Sequence, residues 1–351
     1  MLIAQGGEFV NLDERKKRIL AVVVEEYIVN HKPICSSWVA NLLGNCLSSA
    51  TIRNEMAFLY ELGLLEQPHT SAGRIPSVNG YRFYTENILR SREIDNLTRE
   101  KITFLLEGHA DQKTILTRVC SLLAKVTRCV VTASTPHSKT DKIQHLEVIQ
   151  TAADLCVIVL ATTSSKSSHK ICRFNHTLPS NFVEGLNTFL NNTFSNRYLT
   201  EVTHSFVESI IATTPLTNNL FNTILAPILF TIYQICLDNC NIDIYTKGRS
   251  NLLLYSELAQ NVKIILDFLE DHKKILELMT APPGNLEIKV GQNIGSSELR
   301  PFSILNACYT VKGIGDAHIM TIGPVRVEYQ IGVTYLKYFS ELLPEYLKQK
   351  S

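Results

Sequence analysis

The sequence predicts an α+β protein of several domains: an N-terminal winged helix-turn-helix, followed by an α/β domain that a mainly helical segment interrupts. First, 351 residues are more than one average domain needs. Second, three helical patterns and a hairpin pattern fill the N-terminal quarter. Third, strand-like runs flank a helical stretch on both sides. We place the first domain at residues 1–90, the α/β domain at 100–177 and 241–351, and the insert at 178–240.

Composition and charge are those of an ordinary folded protein. Hydrophobic residues make up 45% of the chain and charged residues 19%. The formal net charge is +1, so bulk charge neither indicates nor excludes a nucleic-acid partner. The N-terminus lacks the pattern of a signal peptide, and no apolar run is long enough to span a membrane. We therefore expect a cytoplasmic protein without membrane contact.

The nine cysteines are scattered and form no CxxC pair, so neither a disulfide framework nor a zinc site is predicted. Cys236 and Cys240 lie one helical turn apart. In an apolar stretch this spacing favours two buried thiols over half of a metal site. No metal, cofactor or catalytic residue is predicted.

Three helices are predicted before residue 63, with only a short break between the second and the third. The residues that begin these helices are Asn11, Ser36 or Ser37, and Ser48 or Ser49. The residues that end them are Pro33, Gly44 and Gly63. Such a short break between two helices is typical of a helix-turn-helix.

A β-hairpin pattern follows the third helix directly. Leu64–Glu66 is a short strand, 69–74 is the loop, and Ile75-Pro76 returns. A further helix then starts at Ser77 or Asn79. A hairpin in this position, with a basic residue near its tip, is typical of the wing of a winged helix-turn-helix.

The third helix has an apolar side and a polar side. Ile52, Met56 and Leu59 stack at positions i, i+4 and i+7 and are predicted to face the other helices. The opposite side consists of Ala50, Asn54, Ala57 and Glu61, with Arg53 flanking it. The small residues allow close approach to a DNA groove, so this side is predicted to contact DNA.

Four residues of this helix are candidates for DNA contacts. Asn54 has the paired donor and acceptor that match adenine, and Arg53 is able to reach guanine or phosphate. Ser49 and Thr51 lie at the helix start, where free backbone N–H groups favour phosphate. The alternative is that these are ordinary solvated residues. The hairpin that follows the helix makes this alternative less favoured.

The hairpin and the following helix supply the remaining candidates. The predicted contact residues are His69, Thr70, Ser71, Arg74 and Arg82. Arg74, at the wing tip beside Gly73, is suited to a minor groove. His69 contacts DNA or only completes the turn. Arg82 bonds phosphate or pairs with Glu86 four residues later.

The rest of the chain alternates between strand and helix patterns. The predicted strands are Cys129–Ala133, Leu146–Gln150, Leu155–Leu160, Lys170–Asn175, Ile242–Tyr245, Leu286–Val290, Ser303–Tyr309 and Ala317–Ile322. The predicted helices are Leu116–Val126, several between Leu178 and Asn241, Val262–Met279 and Val327–Lys348. The polar run 162–168 is predicted to be a hairpin loop.

Several segments resemble the family of the heat-inducible transcription repressor HrcA. The close ones are Ser48–Met56, Leu62–Pro76 and Gly80–Tyr84, and weaker ones are Gly248–Leu253 and Ile322–Tyr329. The resemblance implies a winged helix domain and a GAF-like domain with an inserted dimerising segment. It also implies repression of chaperone operons of the groEL/groES and dnaK type through an inverted-repeat operator. It further implies that the GroEL chaperonin maintains the repressor, which loses activity on heat shock.

One departure from the family pattern concerns the second helix. The family usually shows Gly-Ser-Arg before it, whereas this chain has Cys35-Ser36-Ser37. The missing arginine removes a phosphate contact that the resemblance implies.

Geometry also favours a homodimer on double-stranded DNA. One recognition helix covers few base pairs, and two copies related by a two-fold axis read both halves of an inverted repeat. The apolar helical faces of the insert, at Phe182, Leu186, Phe189, Leu190 and 225–237, are the predicted dimer surface. The alternative is that they pack within their own domain.

Two other classes of function are open at this point. A GAF-like domain often holds a small molecule, which would make the chain a ligand-gated regulator. A cysteine enzyme would need Cys129 or Cys156 with His137 or His145, but both cysteines lie in apolar runs where thiols are usually inert. The sequence therefore favours a regulator that is not an enzyme.

Overall fold

The computed structural model describes residues 4–5, 8–9, 12–69, 72–108, 111–137, 141–164, 167–174, 182–213 and 219–348. The chain divides into two compact units. The first is Met1–Ser134, Ile244–Tyr309 and His318–Tyr346, and the second is Thr135–Asp243, Thr310–Ala317 and Leu347–Ser351. Both mix helices with antiparallel sheets. The predicted helix cap Asn11 and the predicted contact residues Thr70 and Ser71 lie outside the described residues.

The elements are numbered along the chain. The helices are α1 Glu14–Asn30, α2 Ser36–Leu42, α3 Ser49–Glu61, α4 Val78–Asn87, α5 Asn96–Leu106, α6 Gln112–Thr127, α7 Phe182–Phe194, α8 His204–Thr213, α9 Asn219–Cys240, α10 Val262–Phe268, α11 His272–Leu278 and α12 Tyr329–Lys348. The strands are β1 Ala4–Gln5, β2 Glu8–Phe9, β3 Leu65–Glu66, β4 Ile75–Pro76, β5 Val130–Ser134, β6 Ile143–Ala152, β7 Leu155–Thr162, β8 Ser167–Arg173, β9 Ile244–Lys247, β10 Leu286–Val290, β11 Phe302–Val311 and β12 Gly315–Pro324.

Short polar side chains fix where the N-terminal helices begin. Asp13 accepts the Lys16 N–H at 2.8 Å at the start of α1. Ser48 accepts the Thr51 N–H at 3.1 Å at the start of α3. Ser77 does the same for α4 through the N–H of Gly80. Each cap satisfies a backbone donor that has no partner inside the helix.

The first unit also contains a five-stranded sheet in the order β10–β11–β12–β5–β9. Apolar residues of this sheet and of the neighbouring helices α10 and α11 form one buried cluster, with Phe302, Met320 and Ile265 among its members. The sequence predicts one helix over Val262–Met279, and this is wrong. The helix ends at Phe268 and a new one begins at His272, because Asp271 accepts the N–H groups of Lys273 and Lys274.

The second unit contains a three-stranded antiparallel sheet, β6–β7–β8. Helices α7 and α9 pack against its inner face and α8 packs against α9. Many apolar residues of these helices are buried in the cluster that forms there, including Leu186, Leu190, Ile228 and Ile232. Most of the predicted apolar faces therefore pack within their own domain, whereas Leu237 is exposed. The side chain of Phe182 lies outside the described residues.

Asparagines of α7 protect the outer edge of this sheet. Asn187 exchanges two hydrogen bonds with the backbone of Val148, at 2.7 and 3.1 Å. Asn191 does the same with Leu146, at 3.0 and 2.7 Å. An open strand edge invites pairing with other chains, and these amides occupy hydrogen-bonding groups of the β6 backbone within the molecule.

In the described part of the chain, no helix has both the length and the apolar composition to cross a membrane.

Candidate nucleic-acid interface

Helix α3 is anchored on the side that the sequence predicts. Ile52, Met56 and Leu59 are all buried. Buried residues of α1, among them Leu20 and Val23, belong to the same N-terminal core. Burial of these side chains fixes the rotation of α3 about its axis, and this determines which residues face outward.

A buried carboxylate ties α3 to α1 and is not predicted from the sequence. Glu55 is only 9% exposed. It lies 2.5 Å from Arg15 and 3.3 Å from Lys16, and Lys16 also reaches Asp13 at 2.6 Å. Glu55 therefore neutralises part of the basic start of α1. The sequence gives no direct signal for this contact, although the first ninety residues contain nine acidic and nine basic side chains.

The outward side of α3 carries the predicted reading residues. Ser49, Ala50, Arg53 and Asn54 are exposed, and Ala57 is half-buried. Arg53 and Asn54 form no hydrogen bond or ion pair with the part of the chain that the structure describes. Their polar atoms are therefore available to an external partner.

The two hydroxyl residues at the start of α3 already have partners. The Ser49 hydroxyl lies 3.0 Å from that of Ser36 on α2. The Thr51 hydroxyl lies 2.9 Å from that of Ser48. The first contact joins the beginnings of α2 and α3, and the second lies within the start of α3. Both leave the hydroxyl able to turn towards a phosphate oxygen.

Arg74 lies at the base of the hairpin, so the expectation of a wing-tip arginine is wrong. Its backbone exchanges hydrogen bonds with Ile34 at 2.9 and 2.8 Å. A Cβ on Gly73 would lie 2.3 Å from the Ile34 carbonyl oxygen, so this approach of two chain segments requires glycine. The Arg74 guanidinium lies over the exposed ring of Tyr60 on α3, 4.9 Å from its centroid.

The other hairpin candidates differ in their surroundings. His69 is exposed, and its carbonyl accepts the Ala72 N–H at 2.9 Å in the loop turn. Arg82 is half-buried and donates to Asn79 at 3.5 Å. With its amide oxygen turned towards Arg82, Asn293 accepts from the guanidinium at 2.8 and 3.0 Å. The partners of Arg82 are therefore asparagines, and no ion pair with Glu86 forms among the described residues.

A polar cavity of about 250 Å³ separates α3 from the hairpin base. Its lining residues are Ile34, Cys35, Ser36, Arg53, Met56, Gln67, Ala72, Gly73 and Arg74. The exposed Cys35 lies 3.2 Å from the Ser37 hydroxyl, and hydrogen bonds from this hydroxyl and from the backbone of Trp38 lower the pKa of its thiol. Two candidate DNA-contact residues, Arg53 and Arg74, therefore line one recess.

The cysteines proposed for an enzyme are buried. Burial raises the pKa of Cys129 to about 12. The pKa of Cys156 is also raised, first by its hydrogen bond with the Cys172 thiol and then by burial. A thiol in this state carries almost no thiolate at neutral pH and is a poor nucleophile.

Known proteins resemble this chain over most of its length. Residues 113–332 match the HrcA protein C terminal domain. A heat-inducible transcription repressor HrcA of Caldanaerobacter subterraneus subsp. tengcongensis is 30% identical, covering 91% of this chain and 92% of the relative. That of Carboxydothermus hydrogenoformans is 29% identical over 97% of this chain and 99% of the relative. A crystal structure of a hypothetical protein has a TM-score of 0.56 at 26% identity, covering 97% of this chain and 99% of that one. The chain belongs to the HrcA family of heat-inducible transcription repressors.

Proposed function

We propose that this chain represses chaperone operons of the groEL/groES and dnaK type by binding an inverted-repeat operator as a homodimer. One observation carries the proposal: α3 presents Arg53 and Asn54 outward beside a hairpin, without a polar partner among the described residues, in a member of a repressor family. Residues 1–90 act as the winged helix-turn-helix, and α3 is its recognition helix.

Each candidate residue has a role in this arrangement. Arg53 and Asn54 read base edges in the major groove. Ser49 and Thr51, at the helix start, bond phosphate, where the unpaired N–H groups of the first turn add to the attraction. The hairpin residues His69, Thr70, Ser71 and Arg74 contact the adjacent DNA. Arg82 reaches phosphate only by leaving Asn293.

Arg53→Ala should lower operator affinity about thirty- to ten-thousand-fold, because a base-edge contact contributes about 1–3 kcal/mol of discrimination and both copies of the dimer lose it. Gel-shift titrations of DNA from upstream of chaperone operons, and of the same DNA shuffled, measure the effect. Arg18→Ala is the matched control, because this exposed arginine of α1 removes the same charge outside α3. An equal loss on both DNAs would assign Arg53 to phosphate, and no loss on either would remove it from the interface.

The charge balance of this region supports the proposed dimer. Nine basic and nine acidic residues share the first ninety positions, and Glu55 offsets one of the two charges of Arg15 and Lys16. Phosphate attraction is therefore weak for one copy, and operator specificity needs two. Since the apolar sides of α7 and α9 are used within the chain, the dimer contact uses other faces of the 178–240 segment or of the GAF-like region, 100–177 and 241–351.

Chaperonin dependence is the second part of the proposal. Heat diverts GroEL to unfolded clients, the repressor loses its folded state, and DNA is released. After a heat pulse, operator binding should recover several-fold further when GroEL, its co-chaperonin and ATP are added than when ATP alone is added. Fluorescence anisotropy of labelled operator measures the recovery. Equal recovery in both samples would remove the chaperonin from the mechanism and leave the DNA-binding proposal intact.

A further inference from the structure

Two segments with family resemblance meet in the first unit, beside a residue that closely follows a third. Tyr81, from the segment after the hairpin, lies against Tyr329, with ring centroids 5.9 Å apart. Arg326, from the segment before α12, binds both carboxylate oxygens of Glu257, with Nη2 2.9 Å from Oε2 and Nε closer still to Oε1. Glu257 follows the third segment, Gly248–Leu253, by four residues. None of these residues belongs to the proposed DNA contact.

Arg326 also reaches the end of α1. Its Nη1 lies 2.7 Å from Nδ1 and 2.9 Å from Nε2 of His31, and the tautomer decides which of the two ring nitrogens accepts from the guanidinium. His31 is the residue that ends α1, with a left-handed φ of 56° and its N–H bonded to the Tyr27 carbonyl. One guanidinium therefore bridges the end of α1 and Glu257.

Helix α4 and the segment after it have their own attachments. Val78 lies against Gly291, where an added Cβ would be 2.7 Å from its methyl group. Arg82 faces Asn293. Further along, the Arg92 N–H donates to the Thr334 hydroxyl at 2.9 Å. These contacts hold α4, so the Arg326 bridge is a separate attachment at α1.

Packing near the bridge is loose. A cavity of about 450 Å³ is lined by Tyr27, His31, Tyr81, Ser256, Glu257, Pro301, Pro324, Val325 and Arg326. A second, of about 290 Å³, is lined by residues of α1, α4 and α12 together with Arg92. The Tyr81 hydroxyl is buried and has no hydrogen-bond partner in the described part of the chain. The apolar residues of α1 are buried in the N-terminal core, and few contacts join α1 to α12 or to the residues around Glu257. The polar bridge is one of those few contacts.

The orientation of α1 determines that of α3, because the two helices are packed together. Glu55 ties α3 to Arg15 and Lys16, and the two helices share one buried core. We propose that Arg326 is a positioning residue that, through Glu257 and His31, fixes α1 and hence the direction in which α3 faces DNA. The proposal rests on the proposed function, because direction matters only where two recognition helices must match two half-sites.

The test is the dependence of affinity on half-site spacing. An operator selected from random DNA is remade with one or two base pairs added or removed at its centre. Wild-type protein should lose about tenfold or more in affinity at the altered spacings. The Arg326→Met variant should bind the operator of best spacing about tenfold more weakly than the wild type, and its affinity should vary less with spacing. Its affinity for a single half-site should equal that of the wild type.

Two further variants keep the test decisive. His31→Asn removes the imidazole but retains a residue that tolerates left-handed backbone, so it serves if Arg326→Met does not fold. Lys170→Met removes the Lys170–Asp238 ion pair of the second unit and should keep the wild-type profile. A folded Arg326 or His31 variant with the wild-type profile overturns the positioning role. Wild-type protein that selects no sequence at all overturns the proposed function instead.

Discussion

Alanine in place of Gly80 should destabilise the N-terminal helices by about 3 kcal/mol, near the top of the range for an overpacked position. A Cβ at this residue would lie 2.0 Å from the carbonyl oxygen of Leu64 and 3.1 Å from its carbonyl carbon. Both atoms are backbone, so no side-chain rotation relieves the clash. Helix α4 would have to move away from Leu64 and from β3, the strand that begins at the residue after Leu64.

That movement breaks the contacts that start α4. Ser77 donates its N–H to the Leu64 carbonyl at 3.1 Å and its hydroxyl to the Gly63 carbonyl at 2.6 Å. The buried rings of Tyr81 and Phe83 follow within two turns. We therefore expect the loss to be greatest in α1–α4, where hydrogen exchange read by mass spectrometry should show faster exchange across residues 12–69 and 72–89.

Gly185 provides the control for this substitution. It is an exposed residue of α7 where a Cβ meets no atom within 4 Å. Alanine there should stabilise the helix by up to about 1 kcal/mol, because glycine has the lower helix propensity. Unchanged exchange in Gly80→Ala would mean that α4 tolerates a side chain against Leu64, which contradicts the packing described above.

Helix α3 illustrates what the sequence is able to predict. Helical spacing placed Ile52, Met56 and Leu59 inside, and the structure buries all three. Burial of Glu55 was not predicted, because periodicity does not show which charged residue finds two cations on a neighbouring helix. The position of Arg74 was also missed, since its pairing with Ile34 joins residues forty positions apart.

The helical segment between β8 and β9 shows a different limit. Its apolar stripes predicted a buried face, but a stripe does not say whether the covering surface belongs to the same chain or to a second copy. The inner face of β6–β7–β8 is that surface. The break before α11 did have a signal, because Asp271 is a favourable helix-capping residue.

A second large effect is expected at the operator itself. DNA with one half-site intact and the other shuffled should bind about a hundred- to ten-thousand-fold more weakly than the full inverted repeat. Once the first α3 is bound, the second copy meets its half-site at high effective concentration, and shuffling that half-site removes this second binding step. Anisotropy titrations at one fixed salt concentration measure the ratio, because phosphate contacts make every affinity depend on salt.

DNA with both half-sites shuffled sets the non-specific baseline for this ratio. Asn54→Ala in the same titrations should weaken the full repeat by the square of its effect on one half-site, because both copies lose the contact. A half-site that binds as tightly as the full repeat would show that one recognition helix suffices and that the chain does not act as a dimer. The heat response would then require unfolding of α1–α4 themselves, since there would be no second copy whose loss could release the DNA.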